Sequence, residues 1–262
     1  MSRAPLGWLA LLAALPVAAQ QAPVERRNFV SCPIVRDTAS VPCWLAEHDG
    51  ETYFLTLQTD VSSPVTPPWL GHRVLVEGTV ARDKPRICGG IVLEPVVLSV
   101  LPELDGSCNT VLPAEERYNL TFEPPRPPGP SKGRLAFAQD PATPRPTPAA
   151  IAPGPRTFAL QYDFDGLIGF RHGGQLGQIL DFAQKTKATR VEITGYRAAS
   201  LLSNDTLFTE RDDIGQRRAE QVAALLKDAG LSTLSYDVRW QDAPKPDGVN
   251  DARLRKTDVV VR

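Results

Sequence analysis

The chain has 262 residues, a formal net charge of −1, 25 prolines and four cysteines. So balanced a charge provides no basic field and argues against nucleic acid as a partner. The length suits two modest domains better than one.

Arg3, the apolar run Leu6 to Leu15 and the small residues Val17-Ala18-Ala19 read in order as a secretory signal, with cleavage expected at Ala19/Gln20. The run is too short for a membrane span, which needs about 20 apolar residues. No cysteine follows the small-residue site, so no lipid anchor is expected. The predicted compartment is outside the cytoplasm, where cysteines oxidise.

Residues 25–122 are predicted to form a small all-β domain, either a barrel or a sandwich. Short apolar runs cut by turn residues carry this reading: Thr52 to Leu57 after the Asp49-Gly50 turn, Arg73 to Val80 with period two, and Ile91 to Leu98. Pro95 marks an edge or a break in the last run. The segment Gly71 to Val80 resembles an OB-fold strand, but the region's acidic balance argues against nucleic-acid use. All four cysteines (Cys32, Cys43, Cys88, Cys108) lie here, and an even count in an exported chain predicts two disulfides. Three pairings are open. The local ones, Cys32–Cys43 and Cys88–Cys108, close the shortest loops and are preferred. Zinc is disfavoured because no Cys-x-x-Cys pair occurs and the histidines are scattered.

From Glu123 to Arg156, 11 of 34 residues are proline, with five Lys/Arg against two Asp/Glu. Such a segment lacks the donors and apolar residues for a core. It is predicted to be an extended linker with a reach of up to about 100 Å, letting the flanking domains act apart.

After the linker the order of periodicities is βαβαββ. Strands are expected at Thr157–Phe164, Arg190–Gly195, Ser235–Trp240 and Thr257–Arg262. Helices are expected around Leu176–Ala183 and Ala219–Leu226, with Gly230 as a helix stop. This is an α+β arrangement, a sheet covered on one face by two helices. Asp163 and Asp165 flank Phe164 and are read as outward positions of a strand that buries Tyr162 and Phe164. No Gly-x-Ser-x-Gly, phosphate-binding loop or dinucleotide fingerprint occurs. No catalytic residues are assigned, and a non-enzymatic role is expected.

Four segments of this region carry a resemblance: Tyr162-Asp-Phe164, Gly195-Tyr-Arg-Ala198, Arg211-Asp-Asp-Ile-Gly-Gln-Arg-Arg-Ala219 and Arg255-Lys-Thr-Asp-Val259. Together they resemble the OmpA-like, peptidoglycan-binding domain of bacterial envelopes, over residues 157–262. The resemblance implies a periplasmic, cofactor-free protein that docks on the cell-wall stem peptide. In that family a strand Asp takes the ligand's ammonium and a helix Arg takes its carboxylate. The helix Arg matches Arg218, expected in the first turn of its helix, where a guanidinium and free N–H groups favour an anion. The strand Asp falls on Ala198, the Thr before it on Arg197, and the helix Asn on Arg211. The connection 199–209 is longer than the family's, and Asp205, Asp212 or Asp213 are candidate substitutes for the strand Asp. The implied ligand-binding set is Arg218, Arg211, Tyr196, Arg197 and Arg255. The alternative reading is a module for protein–protein interaction or assembly in the envelope that has lost wall binding.

Overall fold

The computed structural model describes residues 24–58, 65–118, 154–169 and 172–262. The predicted signal segment and nearly all of the predicted linker lie outside the described residues.

The first half is a barrel of seven strand segments: β1 (Arg26–Ser31), β2 (Pro33–Arg36), β3 (Cys43–His48), β4 (Glu51–Leu57), β5 (His72–Val80), β6 (Ile91–Leu104) and β7 (Thr110–Leu112). Their spatial order is β1-β5-β6-β4-β3-β2-β7. β1 and β2 are one strand interrupted at Cys32, so β1 pairs with β5 while β2 pairs with β3. That double use closes the sheet. Counting β1–β2 once and setting aside the three-residue β7 leaves a five-stranded Greek-key barrel with a parallel β4–β6 contact, the OB type of arrangement. Pro95 does not end its strand. The β5–β6 ladder shifts register beside it, from Val80↔Leu93 to Gly78↔Val96, and so needs no donor from the proline. Phe29, Trp44, Tyr53, Leu55, Val74, Val76 and Leu93 fill the interior.

The disulfides differ from the local pairing expected: Cys32 is bonded to Cys108, and Cys43 to Cys88. The ladders explain why. β2 and β7 run parallel with Ile34 opposite Thr110, so two residues earlier Cys32 faces Cys108; their Cα atoms are 4.8 Å apart. On the β2–β3 ladder, Arg36 is opposite Cys43, which leaves Cys32 four residues, or roughly 13 Å, along the strand from it. A disulfide cannot span that distance.

The second half contains β8 (Arg156–Gln161), α1 (Gly173–Thr186), β9 (Arg190–Arg197), β10 (Ala199–Leu201), β11 (Leu207–Thr209), α2 (Ile214–Leu226), β12 (Ser235–Asp242) and β13 (Lys256–Val261). The main sheet has the order β12-β9-β13-β8, with β9 and β12 parallel. Phe158, Leu160, Val191, Ile193, Val259 and Val261 form one strand face, which packs on Ile179, Phe182 and Ala183 of α1 and Ala219, Val222 and Leu226 of α2. The fold is α+β, as the periodicity indicated. The long connection 199–209 is a β-hairpin, β10–β11.

The two halves lie against each other, contrary to the expectation that they act apart. On β5 the stretch Val74-Leu75-Val76-Glu77 is buried throughout, although period two should expose every second residue. The outer face is covered because Leu75, Leu101 and Val30 of the barrel pack with Phe164, Leu202 and Phe208 of the second half.

Proteolytic mapping without reductant should recover peptides joined through Cys32–Cys108 and Cys43–Cys88. Replacing Cys32 and Cys108 by Ser should lower unfolding stability by about 2–4 kcal/mol in urea titrations. A peptide joining Cys32 to Cys43 would show the barrel ladder to be wrong.

Candidate functional site

The end of β9 and the start of α2 meet at two glycines. A Cβ on Gly195 would lie 2.0 Å from the carbonyl oxygen of Gly215, and one on Gly215 would lie 3.1 Å from the amide of Arg197. Gly195 therefore has no room for a side chain, and Gly215 leaves little, which lets strand and helix approach closely. The contact brings Arg218, the fifth residue of α2, under the strand end.

Arg218 is fully buried and so is its partner, Glu210. Nη1 and Nη2 of Arg218 donate to the two carboxylate oxygens at 2.8 and 2.6 Å, the bidentate geometry for which arginine is suited. Nε donates to the carbonyl of Gly166 and Nη1 also to that of Tyr196. Nη2 reaches the carbonyl of Asp163. Glu210 in turn accepts the amides of Asp165 and Ala198, at 2.8 and 2.9 Å. The guanidinium lies 4.6 Å from the centroid of the Tyr162 ring. Burial pushes the Tyr162 phenol up to about 12, so it stays protonated and bonds with Thr257.

This geometry corrects the picture of Arg218 as a first-turn cation open to a ligand. An internal carboxylate already occupies the fork. Glu210 carries no motif that marks it in the sequence, and it does a different job from the missing Asp: it meets Arg218 rather than a ligand ammonium. Asp212 and Asp213 pair instead with Arg197 and Arg217, at 2.5 and 3.6 Å. Asp205 sits at a left-handed position, φ 63°, in the hairpin turn.

Tyr196, Arg197 and Arg211 surround the same centre; the first two are half-buried and Arg211 is exposed. Arg197 donates to the Glu210 carbonyl at 2.8 Å. The Tyr196 ring lies below Lys256 Nζ at 5.1 Å. Arg211 caps Asp165, its amide donating to Oδ1 at 2.8 Å. Asp165 is not an outward strand residue: β8 ends at Gln161, and Asp165 turns the chain with φ 54°. Its carboxyl is held above the usual aspartate range, chiefly by burial, with the Glu210 and Glu103 charges adding to the shift and the Arg211 amide and guanidinium opposing it.

Arg255 belongs elsewhere. Rather than facing a ligand or solvent at a sheet edge, it is fully buried against the barrel. Its Nη2 donates to Glu77 Oε2 at 2.5 Å and its Nη1 to Glu77 Oε1 and to Ser200 Oγ, at 3.2 and 3.0 Å. Ser200 Oγ donates to Glu77 Oε1. Beside this knot, Asn28 of the barrel exchanges backbone and side-chain hydrogen bonds with Ser203. Its Nδ2 also donates to the carbonyls of Leu201 and Gly248. Asp251 holds that second loop in place by accepting the amides of Leu201, Asp247 and Gly248. The long hairpin is thus the arm on which the barrel docks. Glu77, Asn28 and Asp251 carry no motif; only a charge interrupting an apolar strand run, Val-Leu-Val-Glu77, hinted at one of them.

Arg218→Ala should strand a buried carboxylate and cost about 3–5 kcal/mol in urea unfolding. Asp165→Asn keeps an acceptor for the Arg211 amide and tolerates the left-handed backbone. Because the folded carboxyl titrates above its unfolded value, its stabilising contribution is present at acid pH and lost as pH rises through the folded value. The Asn variant should therefore melt at higher temperature than the parent near about pH 7, with the gap closing near about pH 3. An equal or lower melting temperature at neutral pH would contradict this account of Asp165.

No family model and no curated protein matches the chain. Among solved structures, the chain is similar to a putative MotB-like protein from Desulfovibrio vulgaris, at 15% identity over 42% of this chain and 76% of that one, with a TM-score of 0.34. It is also similar to the OmpA-like domain of FopA1 from Francisella tularensis subsp. tularensis SCHU S4, at 12% identity over 41% and 75%, with a TM-score of 0.31.

Proposed function

We propose that this chain is a non-enzymatic protein of the bacterial cell envelope whose OmpA-like half serves as an assembly module, carrying the disulfide-bonded barrel docked on its hairpin arm. The observation that carries the reading is the closed Arg218–Glu210 pair: the guanidinium that would receive a stem-peptide carboxylate already holds one from its own chain. Arg255, another of the expected ligand cations, is likewise engaged, by Glu77. The secretory pattern at residues 1–19 and two disulfides support export to the periplasm. No described helix is long and apolar enough to cross a membrane.

A second reading, docking on peptidoglycan through the stem-peptide carboxylate, is favoured by one feature. Tyr196, Arg197 and Arg211 remain partly exposed around the filled seat and offer a cationic rim. Each guanidinium there already meets an aspartate, so a ligand would have to displace an ion pair in water, where such pairs contribute little.

Co-sedimentation with purified sacculi at low salt separates the two. The chain should stay in the supernatant. Pelleting that is lost in Arg197→Ala/Arg211→Ala would establish the wall-binding reading instead. Photo-crosslinkers at the exposed positions Leu207 and Asp212, installed in living cells, should give protein-sized adducts and not muropeptide adducts.

A further inference from the structure

The main sheet of the second half has two edges that are treated differently. At the β8 edge, side chains cap the strand: His172 Nε2 meets the Gln161 carbonyl at 2.7 Å and Gln175 reaches that of Ala159. Among the described residues the β12 edge has no such cover. β12 bonds to β9 on one side only, and its inward amides are those of the odd-numbered residues: Ser235 donates to the Thr189 carbonyl and Ala243 to that of Arg197. Backbone groups alternate in direction along a strand, so Tyr236, Val238, Trp240 and Asp242 point theirs outward. Trp240 is 51% exposed and borders a shallow groove with Val238, Ala223, Ala224 and Lys227. Free edges invite pairing with another strand.

We infer that β12 is a self-association surface, pairing antiparallel with β12 of a second copy about a two-fold axis at Val238. The sequence of the strand selects both partner and register. Hydrogen-bond phase requires outward-pointing residues to face one another, which puts the axis at one of residues 236 to 240; centres at Asp237 and Arg239 are disfavoured because each sets a charge directly opposite its own copy. With the centre at Val238, Tyr236 falls opposite Trp240 of the second copy, and Asp237 falls opposite its Arg239. Both relations occur twice by symmetry. The Asp–Arg pairs occupy the non-hydrogen-bonded positions, where side chains approach most closely. The aromatic pairs lie on the groove side. A centre at Tyr236 would put Asp237 opposite Ser235 and leave most of the strand unpaired. A centre at Trp240 would put Arg239 opposite Gln241. Only the Val238 centre matches both charges and both aromatic rings. Asp237 and Arg239 already lie on one face and within reach of each other, joined by an Nε–Oδ1 hydrogen bond of 2.9 Å, so the exchange of partners needs only side-chain rotation. Three hydrogen-bonded residue pairs would supply about six backbone hydrogen bonds and extend the sheet across two copies. The surface lies outside the Glu210–Arg218 centre and does not depend on what that centre binds.

A charge-swap series on the full chain tests the pairing, read by sedimentation equilibrium across micromolar concentrations. The parent should form a dimer. Asp237→Arg alone and Arg239→Asp alone each set like charges opposite each other twice, and should weaken association by about tenfold or more. The double variant Asp237→Arg/Arg239→Asp restores opposite charges and should recover the dimer. Circular dichroism checks that each variant is folded, and a blue shift of tryptophan emission with rising concentration should report burial of Trp240. A monomeric parent, a dimer indifferent to the single swaps, or a folded double variant that stays monomeric would each overturn the proposal.

Discussion

A guanidinium taken out of water needs a carboxylate to meet it, because the desolvation cost of the lone charge exceeds what neutral hydrogen bonds return. Among the described residues two arginines are removed from water completely, and much of the architecture is arranged to meet them. Arg218 has Glu210, which hangs from the base of the β10–β11 hairpin. Arg255 has Glu77, which comes from the barrel. The first pair seals the junction of β9 and α2. The second makes the barrel a structural neighbour of the second half rather than a cargo on a tether.

The hairpin connects these two centres. Its base presents Glu210 to Arg218, its first strand presents Ser200 to Arg255 and Glu77, and its tip presents Ser203 to Asn28. Phe208 on its second strand stacks on Phe164, with ring centroids 4.5 Å apart, and this pair continues the apolar contact onto Leu75 and Leu101. A longer connection between strand and helix thus becomes an arm that closes one site and builds an interface. Charge and apolar area work together here: the Glu77–Arg255 knot is fully satisfied at its carboxylate, and the apolar cluster beside it keeps water out, which strengthens the pair.

Much of the second half was legible in the chain because helix and strand periodicities are local. The helix holding Ala219–Leu226 and the strand from Thr257 follow from spacing, and both recur in the structure, within Ile214–Leu226 and Lys256–Val261. The barrel was legible as β but not in its closure, since β1 and β2 look like two fragments until their separate partners are known. The disulfides could not be read because loop length favours near neighbours while the ladder sets distance. Period two on β5 puts Val74 and Val76 on one face and Leu75 and Glu77 on the other, yet it gives no sign that both faces are covered.

The sequence by itself determined the class of each half and the presence of an arginine on the helix that follows a Gly-Tyr strand end. Those are properties of residue type and spacing along a few turns or strands. Tertiary structure alone decided what the arginines do. Whether Arg218 faces a ligand or Glu210, and Arg255 solvent or Glu77, depends on residues 8 and 178 positions away in the chain. Burial, which no local pattern encodes, converts an exposed cation that could bind into a buried one that must be paired.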